Sequence, residues 1–169
     1  MSERSQGNSH LVRFSERLTN SAAFSNLFRE GMDLVEETAA YLDGVGRTEA
    51  KALDRAVGLT YATESMRLTT RLMQLASWLL LHRAVKEGEM TLSQANREKT
   101  KVKLSAADPG PAEAIEKLPL HLQDLIARSM SLQSRVRRLD TTIHAPPPDR
   151  AVGNPLVPQL NALKAAFEQ

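Results

Sequence analysis

The sequence predicts an all-α fold, a three-helix bundle built around one very long central helix. Aromatic residues make up only 4% of the 169 residues whereas hydrophobic residues make up 41%, so we expect a core of Leu, Met, Ala and Val, which suits helices better than sheets. Apolar residues also recur at helical spacing over long stretches, and no proline interrupts the longest of these, residues 48–87.

The chain divides into three parts. We expect residues 1–20 to form a flexible N-terminus, 21–144 the helical bundle, and 145–169 a Pro-rich linker with a short amphipathic tail. No stretch approaches the roughly 20 apolar residues that a membrane span requires, and the first ten residues lack the apolar segment of a signal peptide. We therefore expect a cytoplasmic protein without a transmembrane segment.

The first helix is expected at about 21–43. Apolar residues repeat at helical spacing from Phe24 onward, and Ser21 is a suitable N-cap because its hydroxyl can accept a hydrogen bond from the first turn. Gly44 begins a glycine-containing stretch, which is typical of a helix end.

The second helix is expected at about 48–87 and ends at Gly88. A helix of about 40 residues is about 60 Å long, so other elements must flank it along its sides. It carries two apolar rows about 120° apart around its axis. The first row contains Val57, Tyr61, Leu68, Leu72, Leu75 and Leu79, and the second contains Ala62, Met66, Thr69, Met73, Ala76, Leu80 and Ala84. The side chains expected to face water are Thr63, Arg67, Thr70, Arg71, Gln74 and Ser77.

A third long helix is expected at about 119–143, after a connector with a short helix at about 92–101 that Thr91 or Ser93 caps. Its apolar residues alternate at three and four positions, as in a heptad seam, and consecutive prolines from Pro146 end it. Beyond these prolines, four apolar residues share one face of a short helix, which favours either a peptide that docks into a partner's groove or a surplus tail. These residues are Leu156, Leu160, Leu163 and Phe167.

The second row of the long helix predicts a homodimer. If three helices close around the first row, the second row stays uncovered, although burial of one Leu side chain is worth roughly 1.5–3 kcal/mol. Two-fold symmetry is the commonest way to cover such a surface. The predicted dimer interface consists of Ala62, Met66, Thr69, Met73, Ala76 and Leu80. The alternative is that the first helix or the connector covers this row within one chain.

The sequence offers no pattern typical of a catalytic or metal site. It has no cysteine, and its four histidines lack the spacing that places two metal ligands on one helix face. His82, on the long helix, is better interpreted as a core residue. Glu64, Arg67 and Arg71 can pair along one helix face, or the two arginines can clamp a carboxylate or phosphate. We expect a protein that is not an enzyme and that uses no cofactor, metal or small-molecule substrate.

Two basic runs raise the question of nucleic-acid binding. One contains Arg97, Lys99, Lys101 and Lys103, and the other contains Arg128, Arg135, Arg137 and Arg138. Residues 83–103 superficially resemble a helix-turn-helix, whose basic residues would contact phosphates. However, the net charge is only +2, the preceding helix is too long for that motif, and the second helix would have little apolar face. We therefore do not expect nucleic acid to be a partner.

Several segments resemble one known family. Residues 28–32 (FREGM), 35–42 (VEETAAYL), 61–85 with the core TESMRLTTRLMQ, and 135–140 (RVRRLD) make the chain similar to the bacterial regulator-of-CtrA-degradation family, over roughly residues 24–140. The resemblance implies a dimeric three-helix bundle without catalytic residues. It also implies an adaptor that helps deliver a cell-cycle response regulator and other substrates to the ClpXP protease, with other adaptors as partners. The alternative is a regulatory or structural helical dimer with no protease link.

Overall fold

In the computed structural model of the protein, residues 21–99 and 108–144 are described. Within these two ranges the chain forms helices only, so the all-α prediction is confirmed. The helices are α1 (Ala22–Asp43), α2 (Val45–Lys51), α3 (Arg55–Lys86), α4 (Leu92–Lys99), α5 (Ala112–Ile115) and α6 (Leu120–His144). The three long helices α1, α3 and α6 all pack against one another. The N-terminus and tail expected at 1–20 and 145–169 lie outside the described residues.

Helix α1 begins where the sequence places its cap. The Ser21 side chain accepts a hydrogen bond from the Phe24 N–H at 3.3 Å, which satisfies one of the backbone donors of the first turn. At the other end, the Gly44 N–H donates to the Tyr41 carbonyl at 3.2 Å. Between these ends, α1 buries one stripe of side chains that includes Leu27 and Leu34.

The prediction of one helix over residues 48–87 is wrong, because α2 and α3 are two separate helices. The chain leaves the helical conformation after α2, and Asp54 takes an extended conformation as the N-cap of α3. Its carboxylate accepts a hydrogen bond from the Val57 N–H at 2.9 Å, so Asp54 starts a new helix instead of lying inside one. Helix α3 therefore has 32 residues and ends before Gly88, whose φ of 75° suits glycine.

The core lies on the side of α3 that faces α1 and α6. Leu68 and Leu79 of the first apolar row are fully buried, and α6 contributes its own heptad residues, among them Leu125 and Leu132, which are also fully buried. The three helices thus meet along apolar stripes with the spacing that the sequence predicts.

Helix α4 packs on the bundle through Leu92 and Ala95 and is also linked to it by one shared carboxylate. Asp140 on α6 accepts a hydrogen bond from Trp78 Nε1 at 2.8 Å and forms an ion pair with Lys99 Nζ at 2.6 Å. The start of α4 forms a reciprocal cap, because Thr91 Oγ1 accepts from the Gln94 N–H while Gln94 Oε1 accepts from the Thr91 N–H. The short helix expected at 92–101 is therefore present, and its described part ends at Lys99.

Helix α2 packs closely because it carries glycine at one position. A Cβ atom at Gly46 would lie 2.6 Å from Tyr61 Oη and 2.7 Å from the Tyr41 carbonyl oxygen. Tyr41 Oη donates to Glu49 Oε2 at 2.6 Å, and burial together with this carboxylate raises the pKa of Tyr41 above its ordinary value. Gly46 thus lets α2 approach a buried polar cluster at the end of the bundle.

Two glycine substitutions should act in opposite directions. We expect Gly46→Ala to lower the free energy of unfolding by about 1–3 kcal/mol, because the new methyl group meets Tyr61 and backbone. Gly58→Ala, where a Cβ meets nothing within 4 Å, should raise it by about 0.5–1 kcal/mol through helix propensity. Urea unfolding followed by circular dichroism measures both values, and a stabilising Gly46→Ala would contradict the close packing of α2.

Candidate functional site

The clearest surface feature is a row of large apolar side chains on α3. Leu59, Met66, Met73 and Leu80 are 71%, 72%, 67% and 53% exposed. They are spaced exactly seven residues apart, and a straight helix drifts by only about 20° over each such interval. The four side chains therefore form one continuous row, opposite the face that packs in the core.

Small side chains accompany this row on one side. Ala62 and Thr69 are exposed and Ala76 is half-buried. The Thr69 hydroxyl donates to the Ser65 carbonyl at 2.9 Å, which satisfies that hydrogen bond within the helix. We call the whole surface the exposed apolar seam, consisting of Leu59, Ala62, Met66, Thr69, Met73, Ala76 and Leu80. Its small residues allow another helix to approach closely.

The structure brings all six predicted interface residues to this face and adds Leu59. Neither α1 nor α4 covers the seam, so the described part of the chain gives no support to intrachain cover. Leu59 was not among the predicted interface residues, because the second apolar row was predicted to begin at Ala62. The seven-residue interval from Leu59 to Met66 was the available signal. The predicted docking residues Leu156, Leu160, Leu163 and Phe167 lie outside the described residues.

The polar strip predicted to face water is only partly exposed, and Arg71 contradicts the prediction. Arg71 is fully buried, and its Nη1 donates to Ser129 Oγ at 2.7 Å. Burial lowers the pKa of Arg71, and the nearby charges of Glu64 and Asp108 oppose that effect. The helix turns this edge toward α6, so Arg71 is not available to clamp an external carboxylate or phosphate.

Glu64 connects the bundle to the chain that precedes α5. This carboxylate is only 2% exposed and accepts hydrogen bonds from Arg67 Nη1 at 2.5 Å and from the Gly110 N–H at 3.0 Å. A Cβ atom at Gly110 would lie 2.7 Å from Glu64 Oε1, so a larger residue there would displace the end of the Glu64 side chain. Glu64 therefore pairs with Arg67 along one helix face, which is one of the two arrangements that the sequence predicts. The same carboxylate also binds the connector through Gly110.

Two histidines, His82 and His121, pack against aromatic side chains within the fold. His82 is fully buried, its ring stacks on Trp78 with centroids 3.9 Å apart, and its Nδ1 lies 3.0 Å from the Trp78 carbonyl oxygen. His121 packs on Tyr41 and lies 3.2 Å from Glu37 Oε1. In residues 21–99 and 108–144, no group of three or more His, Asp or Glu side chains could hold a metal ion.

Several basic residues pair with carboxylates inside the fold. Arg135 forms two hydrogen bonds with Glu30, and Arg128 pairs with Glu37 at 2.8 Å. The hydrogen bonds from Arg135 hold the pKa of Glu30 below its ordinary value. Burial raises the pKa of Glu37, but hydrogen bonds from Arg128 and His121 outweigh it and lower the pKa overall. These pairs, with that of Lys99, reduce the positive charge available to a nucleic acid; Lys101 and Lys103 lie outside the described residues.

The comparisons with known proteins agree on one family. The sequence profile of the family described as "Protein of unknown function (DUF1465)" matches residues 15–167. The crystal structure of RcdA from Caulobacter crescentus CB15 is similar at 49% sequence identity and a TM-score of 0.64, over 78% of this chain and 98% of that chain. A comparison with curated proteins gives no match. None of the described helices is both long and apolar enough to cross a membrane.

The Glu30–Arg135 pair predicts a pH dependence. Because the folded-state pKa of Glu30 is lowered, its contribution to stability is present above the unfolded value, near 4.5, and is lost as pH falls through the folded value. Both side chains are partly exposed, so we expect Glu30→Gln to cost about 0.5 kcal/mol at pH 7 and less as the pH falls and Glu30 becomes protonated. Urea unfolding between pH 2 and 7 measures this difference.

Glu36→Gln is the matched control, because Glu36 is exposed on the same helix and no ion pair involves it among the described residues. The free energy of unfolding of the Glu36→Gln variant should equal that of the wild type at both ends of the pH range. A cost for Glu30→Gln that is the same at pH 2 as at pH 7 would show that the ion pair is not its cause.

Proposed function

Because this chain belongs to the DUF1465 family, which is the family of RcdA, the regulator of CtrA degradation, we propose that it is a regulator of the degradation of a CtrA-like response regulator. The observation that carries this proposal is the likeness to RcdA, 49% identity over 98% of that chain. We further propose that it acts as a non-enzymatic adaptor for the ClpXP protease, with substrates and other adaptors as its partners. Its site of action in this proposal is the cytoplasm.

Tethering is the physical mechanism of such an adaptor. A scaffold that binds both the substrate and the protease raises the local concentration of the substrate at the protease without changing any chemical step. Rigid helices with separate surfaces suit this task, since each surface can hold one partner. The tail residues 156–167, spaced after three prolines, are proposed as a docking segment of the same scaffold.

A homodimer through the exposed apolar seam is part of the proposal. Four large apolar side chains stand in water along one row, and burial of each is worth roughly 1.5–3 kcal/mol. Methionine and leucine next to Ala62 and Ala76 suit packing of two helices side by side. A dimer would present every partner surface twice, which increases avidity for a protease that has several subunits.

A reconstituted degradation assay tests the adaptor proposal. We expect addition of this protein to ClpXP and a CtrA-like response regulator, together with the other adaptors of the pathway, to lower the KM of degradation and leave kcat nearly unchanged. Tethering affects encounter and not the rate of unfolding or peptide cleavage, which is the reason for this split. An unchanged KM at every adaptor concentration would contradict the proposal.

Affinity capture from cell lysate separates the alternatives. Recovery of unfoldase subunits and other adaptors favours the protease adaptor. Recovery of other protein complexes without them favours a regulatory or structural dimer with no protease link. Retention of random duplex DNA at low salt, lost at high salt, would instead favour the helix-turn-helix interpretation of residues 83–103.

The dimer proposal predicts the effect of one double substitution. We expect Met73→Asp with Leu80→Asp to reduce the molar mass in light scattering from that of two chains to that of one, because each chain would place two charges in an apolar interface. The double variant should keep the helix content of the wild type, since both side chains are already exposed within one chain. Its midpoint of urea unfolding should equal that of the wild type when both are measured at a concentration low enough for the wild type to be monomeric.

Ser134→Asp is the control, because Ser134 is exposed on α6 and away from the seam. It should keep the mass of two chains. A wild-type protein that is monomeric at all concentrations, or a double variant that remains dimeric, would contradict the proposed interface.

A further inference from the structure

A separate pocket of about 440 Å³ lies between the beginning of α1 and the end of α3. Its apolar side consists of Phe24, Phe28 and Met32, which are four residues apart and therefore share one stripe of α1. Phe24 is 2% exposed and belongs to the core, whereas Phe28 and Met32 are half-buried and open to the pocket. The pocket thus has an apolar floor that is continuous with the protein core.

The aromatic wall is held in place before any ligand arrives. The Phe28 ring lies between the Phe24 ring, 6.4 Å away between centroids, and the Arg83 guanidinium, 4.8 Å from its centroid. Phe24 is in turn packed against Trp78 of the core, also at 6.4 Å. Because these contacts fix the wall, a ligand would lose little affinity to reorganisation of the protein.

The polar side of the pocket contains three cationic side chains, two carboxylates and one hydroxyl, which belong to Arg29, Arg83, Lys86, Asp33, Glu87 and Ser25. Two of its hydrogen-bond donors, Lys86 and Ser25, lie close together. Lys86 Nζ donates to Ser25 Oγ at 2.9 Å. This hydrogen bond uses neither the serine hydroxyl proton nor the two other ammonium protons of Lys86. No carboxylate pairs with Lys86 among the described residues. Arg83, by contrast, already pairs with Glu87 at 2.9 Å. Lys86 with Ser25 is therefore the part of the pocket that is complementary to a carboxylate.

We propose that this pocket binds a short peptide segment of a partner protein in which a large apolar side chain stands next to a glutamate or aspartate. The apolar side chain packs on Phe24, Phe28 and Met32, and the neighbouring carboxylate accepts hydrogen bonds from Lys86 and Ser25. The volume is at the lower end of the roughly 300–1,000 Å³ of typical ligand pockets and suits one side chain with its backbone. The proposal concerns peptide binding by the protein itself, so it stands independently of the protease link.

Synthetic peptides titrated into isotope-labelled protein test this proposal by NMR. The probe is acetyl-GSFESG-amide, and its two controls replace the glutamate by glutamine or the phenylalanine by glycine. We expect saturable shifts of the amide signals around Ser25, Phe28 and Lys86. The glutamine peptide should bind about threefold more weakly, as expected for a partly exposed charge pair, and the glycine peptide should show no saturable binding.

Substitutions assign the binding to the named residues. Lys86→Gln should give the glutamate and glutamine peptides equal affinities. Ser25→Ala should lower the affinity of the glutamate peptide but not that of the glutamine peptide. Lys51→Gln removes an exposed lysine on α2 and should keep the wild-type preference. Thermal unfolding of each variant verifies the fold.

Three results would overturn the proposal. They are no saturable shift at millimolar peptide, equal affinity of wild-type protein for the glutamate and glutamine peptides, and shifts confined to residues of the exposed apolar seam. Because no protease is present, none of these results depends on the outcome of the degradation assay.

Discussion

The packing of α1 and α6 against one side of α3 is the contact on which the other features depend. Leu68, Leu75 and Leu79 of α3 are almost completely buried by it, and this fixes the rotation of α3 about its own axis. Once that rotation is fixed, the opposite side of a 32-residue helix must face away from the core. The exposed apolar seam is therefore a direct consequence of core formation, because its residues belong to the same helix.

The same rotation buries polar groups at the edge of the core, and these groups position the connecting segments. Arg71 reaches Ser129 on α6, Glu64 receives the backbone of Gly110, and Trp78 reaches Asp140. Most buried polar groups in proteins are hydrogen-bonded because a lost hydrogen bond is costly there, so each of these pairs limits the placement of its partner segment. These polar contacts thus act together with the apolar contacts of Leu92, Ala95 and Ile115 to position the connector and α4, whereas apolar contacts determine how the three long helices associate.

Local signals predicted much of the fold, because some side chains act on their own helix. Ser21 caps α1 and Gly88 follows the end of α3, as expected from the physical chemistry of caps. Asp54 was missed as a cap because a charged residue within a periodic stretch equally suits an exposed helix position. The burial of Arg71 depends on a serine 58 positions away, which no local pattern reveals. The pocket at Lys86 likewise combines α1 and α3, and neither helix alone shows it.

Methionine at the two central positions of the seam gives this surface a chemical sensitivity that leucine would not. Met66 and Met73 are 72% and 67% exposed, so oxidants in the solvent reach both thioether sulfurs when one chain is alone. Oxidation to the sulfoxide turns a flexible apolar side chain into a polar one, and reductases reverse this change. A chain oxidised at both positions would have lost the apolar character at the middle of the row, so its surface would be compatible with water and poorly suited to packing against another helix.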